Sequence, residues 1–169
     1  MITLKPLVPE NLPSFYQWIK DEEAIVYSLS IFQAMKTDQQ IKEWYLSSIN
    51  DKRNSNRGIF VDGVFVGYAG ISGISSTNKS GEYFIFIGDK NYWGKGIGSE
   101  VTKMIVKIAF TELDLNRLML TVSVPNVAGV KAYQRAGFVL EGRLRQAALR
   151  KGEFHDKLVM SILKSEWSL

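Results

Sequence analysis

The chain has 169 residues, 46% of them hydrophobic and 22% charged, which suits one soluble globular domain with one substantial core. No apolar run approaches the ~20 residues of a membrane span, the absence of cysteine excludes disulfides and thiolate metal sites, and no metal site is expected. The 21 basic and 17 acidic residues leave a net charge of +4, scattered apart from a loose cluster between Arg143 and Lys151, so no nucleic-acid partner is expected.

The opening "MITLKPLVPE" lacks the basic-then-apolar order of a signal peptide. With no membrane segment either, a cytoplasmic location is the expectation. "ITLKPLV" alternates as a first strand. "PENLPSFYQWIKDEE" follows as a helix, with Leu12, Phe15, Tyr16 and Ile19 at helical spacing. A second helix is expected over "TDQQIKEWYLSSIN", capped by Thr37 or Asp38, with Ile41, Trp44, Tyr45 and Ile49 on one face. In "RGIFVDGVFVGYAGIS" the pair Asp62-Gly63 separates two apolar runs, the signature of a hairpin closed by a type I′ turn. A strand from about Glu82 to Gly88 leads into a glycine-rich loop. A helix from about Ser99 to Glu112 follows, with Val101, Met104, Ile105, Ile108 and Ala109 at a 3.6 period.

"RLMLTVSV" reads as a buried strand, and "NVAGVKAYQRAG" as a short helix stopped by Gly137. The remaining "FVLEGRLRQAALRKGEFHDKLVMSIL" reads as strands with a turn near Lys151-Gly152. The fold class expected is α/β of the α+β type: residues 1–169 as a single domain, with a mixed central sheet flanked by helices on both faces. The strands on either side of the glycine loop should run parallel, joined by a right-handed crossover.

"NYWGKGIGSEV" places Gly94, Gly96 and Gly98 just ahead of a helix. A helix N-terminus leaves backbone N–H groups unpaired at the positive end of the helix dipole. Glycines there let an anion approach without meeting a Cβ, and Lys95 adds a cation. The loop is not a Walker A loop, because Gly96 is followed by Ile97 rather than Lys. It narrowly misses the dinucleotide fingerprint, with Ser99 in place of its third glycine. Read alone, the glycines fit a plain strand-to-helix turn and a pyrophosphate cradle equally well.

A second motif tips the balance. "NVAGVKAYQRAGF" holds Asn126, Tyr133 seven residues on, and then Gly137-Phe138. It resembles the later motif of the GNAT superfamily of acetyl-CoA-dependent N-acetyltransferases. The glycine loop resembles that family's earlier motif, Gln/Arg-x-x-Gly-x-Gly/Ala, with Gly96 and Gly98 as its glycines. The two motifs stand about thirty residues apart, as in the family, and the resemblance spans nearly the whole chain. "YWGKGIG", the Trp18 helix and the "HDKLVMSIL" ending look like the branch holding ribosomal-protein N-terminal acetyltransferases and spermidine acetyltransferases. Two positions depart: Trp93 stands where the family has Gln or Arg, and Gly129 where a small hydroxyl residue is common.

The resemblance implies acyl transfer from the thioester of acetyl-CoA to an amine. Tyr133 would be the general acid, since a phenol is still protonated at neutral pH. Glu82 would take the amine proton through water, as a Glu does in several family members. The cofactor would lie along the strand residues Phe84, Ile85, Phe86 and Ile87, whose backbone groups would pair with its pantetheine arm and polarise the carbonyl. It would continue over the loop residues Trp93, Gly94, Lys95, Gly96, Ile97, Gly98 and Ser99. Asn126 would hold the arm or fix its loop, although Asn at a helix start is also an ordinary N-cap.

His155, the only histidine, has a suitable pKa for a base but reads as a surface hairpin residue. Glu153 and Asp156 read as a solvated face. Glu22 and Glu23 could hold a cationic amine but also read as solvated. The partner expected is a small-molecule amine or a peptide N-terminus, with polyamines, aminoglycosides and nucleotide-linked amino sugars as further candidates. A monomer and a homodimer both fit. Two rival readings stay open: a non-catalytic acetyl-CoA-binding domain of the same fold, and a nucleotide-binding regulator resting on the glycines alone.

Overall fold

A computed structural model describes residues 1–168. Seven strands form one mixed sheet in the order β1-β2-β3-β4-β5-β7-β6. They are β1 (Ile2–Pro6), β2 (Ser55–Val61), β3 (Val64–Ser75), β4 (Ser80–Ile87), β5 (Arg117–Ser123), β6 (Val139–Arg150) and β7 (Glu153–Leu163). The helices are α1 (Leu12–Lys20), α2 (Glu22–Ile25), α3 (Ile31–Ala34), α4 (Asp38–Asn50), α5 (Ile97–Thr111) and α6 (Val127–Arg135).

The two cores lie on opposite faces of the sheet. On one face α5 buries Val101, Ile105, Val106 and Ala109 against Ile59, Val66, Leu118 and Met160. On the other, α1 and α4 bury an aromatic cluster against β3 and β4. Phe15 is its centre, with the rings of Trp18, Trp44, Tyr45, Phe65 and Tyr68 5.1 to 6.1 Å away. The expected α+β layering is therefore what the chain adopts.

Two turns follow their sequence signals. Asp62 and Gly63 join β2 to β3 with φ of 48° and 84°, and Lys151 and Gly152 join β6 to β7 with φ of 50° and 76°. Both residues of a type I′ turn need positive φ, and Gly meets that at the second position without steric cost. Thr37 caps α4 in a reciprocal capping box with Gln40.

The expected first helix over residues 9–23 is broken. A 3₁₀ turn spans Pro9–Asn11, and α1 ends at Lys20, with Asp21 extended as its C-cap. The Asp21 carboxylate accepts the N–H groups of Glu23 and Ala24 at 3.1 and 3.3 Å and starts α2 in a new direction. The segment "SIFQAM" contains the short helix α3, drawn in by the fully buried Phe32. The glycine-loop helix starts at Ile97, two residues before its expected position, so Ile97, Gly98 and Ser99 form its first turn.

β4 and β5 are parallel, as expected across a strand-helix-strand unit, but they pair only at Ser80–Arg117, Gly81–Leu118 and Glu82–Met119. Beyond Glu82 they part and open a wedge in the sheet. β6 is the far edge, and Val139, Leu140, Leu144 and Leu149 are exposed along it.

Candidate active site

The register of β4 shows which backbone groups face the wedge. Gly67 lies opposite Ile87, yet the N–H of Gly88 donates to the carbonyl of Val66 at 3.0 Å. That makes Gly67–Ile87 a non-hydrogen-bonded pair, so the peptide groups of Ile87 and Ile85 point away from β3 and into the opening. Those of Phe84 and Phe86 are turned to Gly70 and Tyr68 of β3. Of the four β4 residues expected to bind through their backbone, Ile85 and Ile87 have theirs on the open side. Phe84 and Phe86 contribute side chains to the walls instead.

The Ile87 carbonyl is already engaged, accepting the indole N–H of Trp93 at 2.8 Å. Trp93, at the position where the motif usually has Gln or Arg, thus ties the glycine loop back to the strand.

Below the loop, a cleft of about 800 Å³ runs between β4, the start of α5 and one side of α6. Gly94 and Gly96 have φ of 71° and 77°, a left-handed conformation that a Cβ opposes. Gly98 has no such constraint, and a Cβ built there would meet nothing within 4 Å. Gly94 and Gly96 therefore satisfy the backbone, whereas Gly98 keeps the mouth of the cleft clear. No side chain caps α5, and its first intrahelical bond is Glu100 N–H to Gly96 O at 3.2 Å. The N–H groups of Ile97, Gly98 and Ser99 precede that bond at the positive end of the helix.

Lys95 does not contribute to the cleft wall; its ammonium sits over the Tyr92 ring, 5.3 Å from the centroid. The cations on the wall are Lys131 and Arg135, one turn apart on α6. Sequence reading passed them over because two basic residues on a short helix look like an ordinary solvated face. Asn126 also lines the cleft, but its Oδ1 accepts the Gly129 N–H at 3.1 Å and caps α6. A Cβ at Gly129 would stand 2.5 Å from the Asn126 amide, so glycine here leaves room for that cap.

A smaller polar cavity of about 220 Å³ lies on the α2–α3 side of the sheet. Tyr133, on α6, lines both cavities and so stands where they meet. Its ring packs against Tyr83 and Phe138 with centroids 5.9 and 6.2 Å away. Burial pushes its phenol up to about 12. Tyr83 is held in turn by Thr102, whose hydroxyl lies 2.9 Å from the Tyr83 hydroxyl and donates to the Gly98 carbonyl at 2.6 Å. One chain of contacts thus links the acid candidate to the first turn of α5.

Glu82 lines the small cavity with Tyr133. His155 lies outside both cavities, opposite Ala148 on the β6–β7 hairpin. Glu153 is exposed at the tip of that hairpin, and Asp156 pairs with Arg143 and accepts the Gln146 N–H. Glu23 borders the large cleft but is paired to Lys90 at 3.0 Å, which also holds Asp21 at 2.9 Å. Glu22 lines neither cavity. Tyr27, Ser28, Arg150 and Lys157 complete the small cavity, and no sequence motif singled them out. Among the described residues there is no cluster of His, Asp and Glu able to hold a metal, and no helix long and apolar enough to cross a membrane.

The acetyltransferase (GNAT) domain family matches residues 1–139, and the chain belongs to that family of acyltransferases. The putative ribosomal N-acetyltransferase YdaF of Bacillus subtilis is 31% identical over 117 residues, 69% of this chain and 63% of that protein's own length. The spermidine N(1)-acetyltransferase of Escherichia coli K12 is 25% identical over 166 residues, 98% of this chain and 88% of that protein. The crystal structure of spermidine N-acetyltransferase from Vibrio cholerae in complex with CoA and spermine superposes with a TM-score of 0.89. It covers 98% of this chain and 96% of that one at 24% identity, a likeness of fold.

Proposed function

We propose that this protein transfers an acetyl group from acetyl-CoA to a primary amine of a small molecule or a peptide N-terminus. The observation that carries the reading is Tyr133, standing between a cleft suited to the cofactor and a polar cavity suited to the amine. The cleft fits acetyl-CoA. The free N–H groups of Ile97, Gly98 and Ser99 would hold its pyrophosphate, with Lys131 and Arg135 as neighbouring cations. Ile85 has an N–H and a carbonyl free for the amides of the pantetheine arm.

When bound, acetyl-CoA supplies an acetyl group activated as a thioester. The chain's own residues manage the protons. Glu82, directly or through water, takes a proton from the attacking amine. Tyr133 gives its phenolic proton to the departing sulfur. A phenol held at about 12 remains a donor across the physiological range.

Tyr133→Phe tests the assignment. The hydroxyl makes no hydrogen bond to the protein among the described residues, so the variant should keep its melting temperature and its affinity for acetyl-CoA. Its kcat should fall by about 10²–10⁴-fold. Unchanged turnover would remove Tyr133 from the mechanism. A wild-type protein that binds acetyl-CoA but acetylates no amine in a broad panel would be a binding domain that kept the fold.

A further inference from the structure

The charges around the small cavity carry an inference about the acceptor, which rests on the acyl-transfer reading above. Arg150 is only 5% exposed. Its guanidinium donates to the carbonyls of Val26 and Leu149 at 2.9 Å, to the Ser30 hydroxyl at 3.1 Å and to the Ser28 carbonyl at 3.4 Å. All of these partners are neutral. A guanidinium has five N–H donors, so one on Nη1 is left over.

Lys157 projects from β7 on the same face and is part-buried. Burial first, and then the positive charge of Arg150, hold its ammonium below the usual lysine range, with Glu82 acting the other way. Among the described residues no carboxylate oxygen comes within 4.0 Å of either cation. Elsewhere the part-buried cations are paired: Arg117 chelates Glu141, and Arg57 stands 3.9 Å from Glu112. Thr121 and Ser123 also line the cavity, and among the described residues their hydroxyls have no side-chain hydrogen bond. Burying a cation without a partner is costly, and one carboxylate, Glu82, faces two cations here.

We propose that the acceptor is an amine bearing its own anionic group, a carboxylate or phosphate, which Lys157 and the spare N–H of Arg150 bind while the amine stands beside Glu82 and Tyr133. A polyamine would bring further positive charge to a cavity that already has an excess of it. At about 220 Å³ the cavity admits only the reacting end of an acceptor, below the 300–1,000 Å³ of common ligand sites. The anionic group must therefore lie close to the amine.

The test begins with calorimetric titration of acetyl-CoA. An amine panel follows, read both by thiol release and by calorimetry in the presence of CoA. The panel pairs alanine with alaninamide, a C-terminally amidated Asp-Ala peptide with its amidated Asn-Ala counterpart, and phosphoethanolamine with ethanolamine, and includes spermidine. The arms separate an α-carboxylate, a side-chain carboxylate and a phosphate as the source of the anion. At least one anionic member should exceed its neutral partner about tenfold in kcat/KM and bind more tightly. Lys157→Gln should raise KM for that acceptor about tenfold more than KM for its neutral partner, with acetyl-CoA still bound tightly, and Lys157→Arg should restore most of the loss. Spermidine outperforming every anionic amine would overturn the proposal, as would a Lys157→Gln variant that keeps wild-type KM. Either result alongside tight acetyl-CoA binding overturns the proposal alone. Failure to bind acetyl-CoA overturns the acyl-transfer reading and the proposal with it.

Discussion

The glycine loop makes two separable demands, and a pair of alanine variants pulls them apart. Gly96 has φ of 77° and ψ of 1°. An L-residue in that region costs roughly 1–2 kcal/mol. For a chain of this size each kcal/mol shifts Tm by about 2–4 °C, so Gly96→Ala should melt roughly 2–8 °C lower. Gly98 lies in the first turn of α5 with an ordinary φ and open space where its Cβ would stand. Alanine there gains up to about 0.5–1 kcal/mol of helix propensity, so Gly98→Ala should melt about 1–4 °C higher in the free protein. That Cβ would nevertheless stand in the cleft mouth, beside the donors proposed to hold pyrophosphate. Acetyl-CoA affinity should drop at least tenfold, about 1.4 kcal/mol. The assays are scanning calorimetry of the free protein and titration with acetyl-CoA. A Gly98→Ala variant that binds acetyl-CoA as tightly as wild type would refute the idea that this glycine is there for close approach. A Gly96→Ala variant of undiminished stability would refute the backbone argument.

Because burial holds the Tyr133 phenol up to about 12, kcat at saturating substrate should show no fall attributable to this acid between about pH 8 and pH 10; a descending limb centred near pH 9 that disappears in Tyr133→Phe would contradict this. Glu141 accepts Arg117 Nη2 and the Ser161 hydroxyl, each at 2.8 Å, and Arg117 chiefly holds its carboxyl down to about 2. A folded pKa below the unfolded value stabilises at pH above the unfolded pKa and is lost as pH falls through the folded one. The Tm gap between wild type and Glu141→Gln should therefore be widest near neutral pH and close between about pH 4.5 and 2. Phe15→Ala removes the ring at the centre of five aromatic neighbours and should cost about 3–5 kcal/mol in urea unfolding, with the m-value unchanged.

Local rules made much of this molecule legible from its residues. Asp62-Gly63 and Lys151-Gly152 could be read as turns because positive φ is a property of one or two residues. The α4 capping box and the period of α5 are equally local. The paired motifs around Gly96 and Asn126 pointed to the family because each is a short run of residue types at fixed spacing.

What stayed hidden depends on residues far apart in the chain. The break at Asp21 interrupts an acceptable helical pattern, and the burial of Phe32 that draws in α3 is a tertiary fact. The parting of β4 from β5 beyond Glu82 leaves no mark on either strand's composition, yet it sets which carbonyls and amides of residues 84–87 are free. Arg150 reaches across 124 residues to the Val26 carbonyl. Lys157 looks like any lysine in a strand until the fold sets it near Glu82 and Arg150 with no salt-bridge partner among the described residues. The sequence alone determined the turns, the caps and the glycine loop, because those are decided within a few residues. The small polar cavity and its charge were decided by tertiary structure, because burial and the sum of charges around a cavity exist only after distant strands have met.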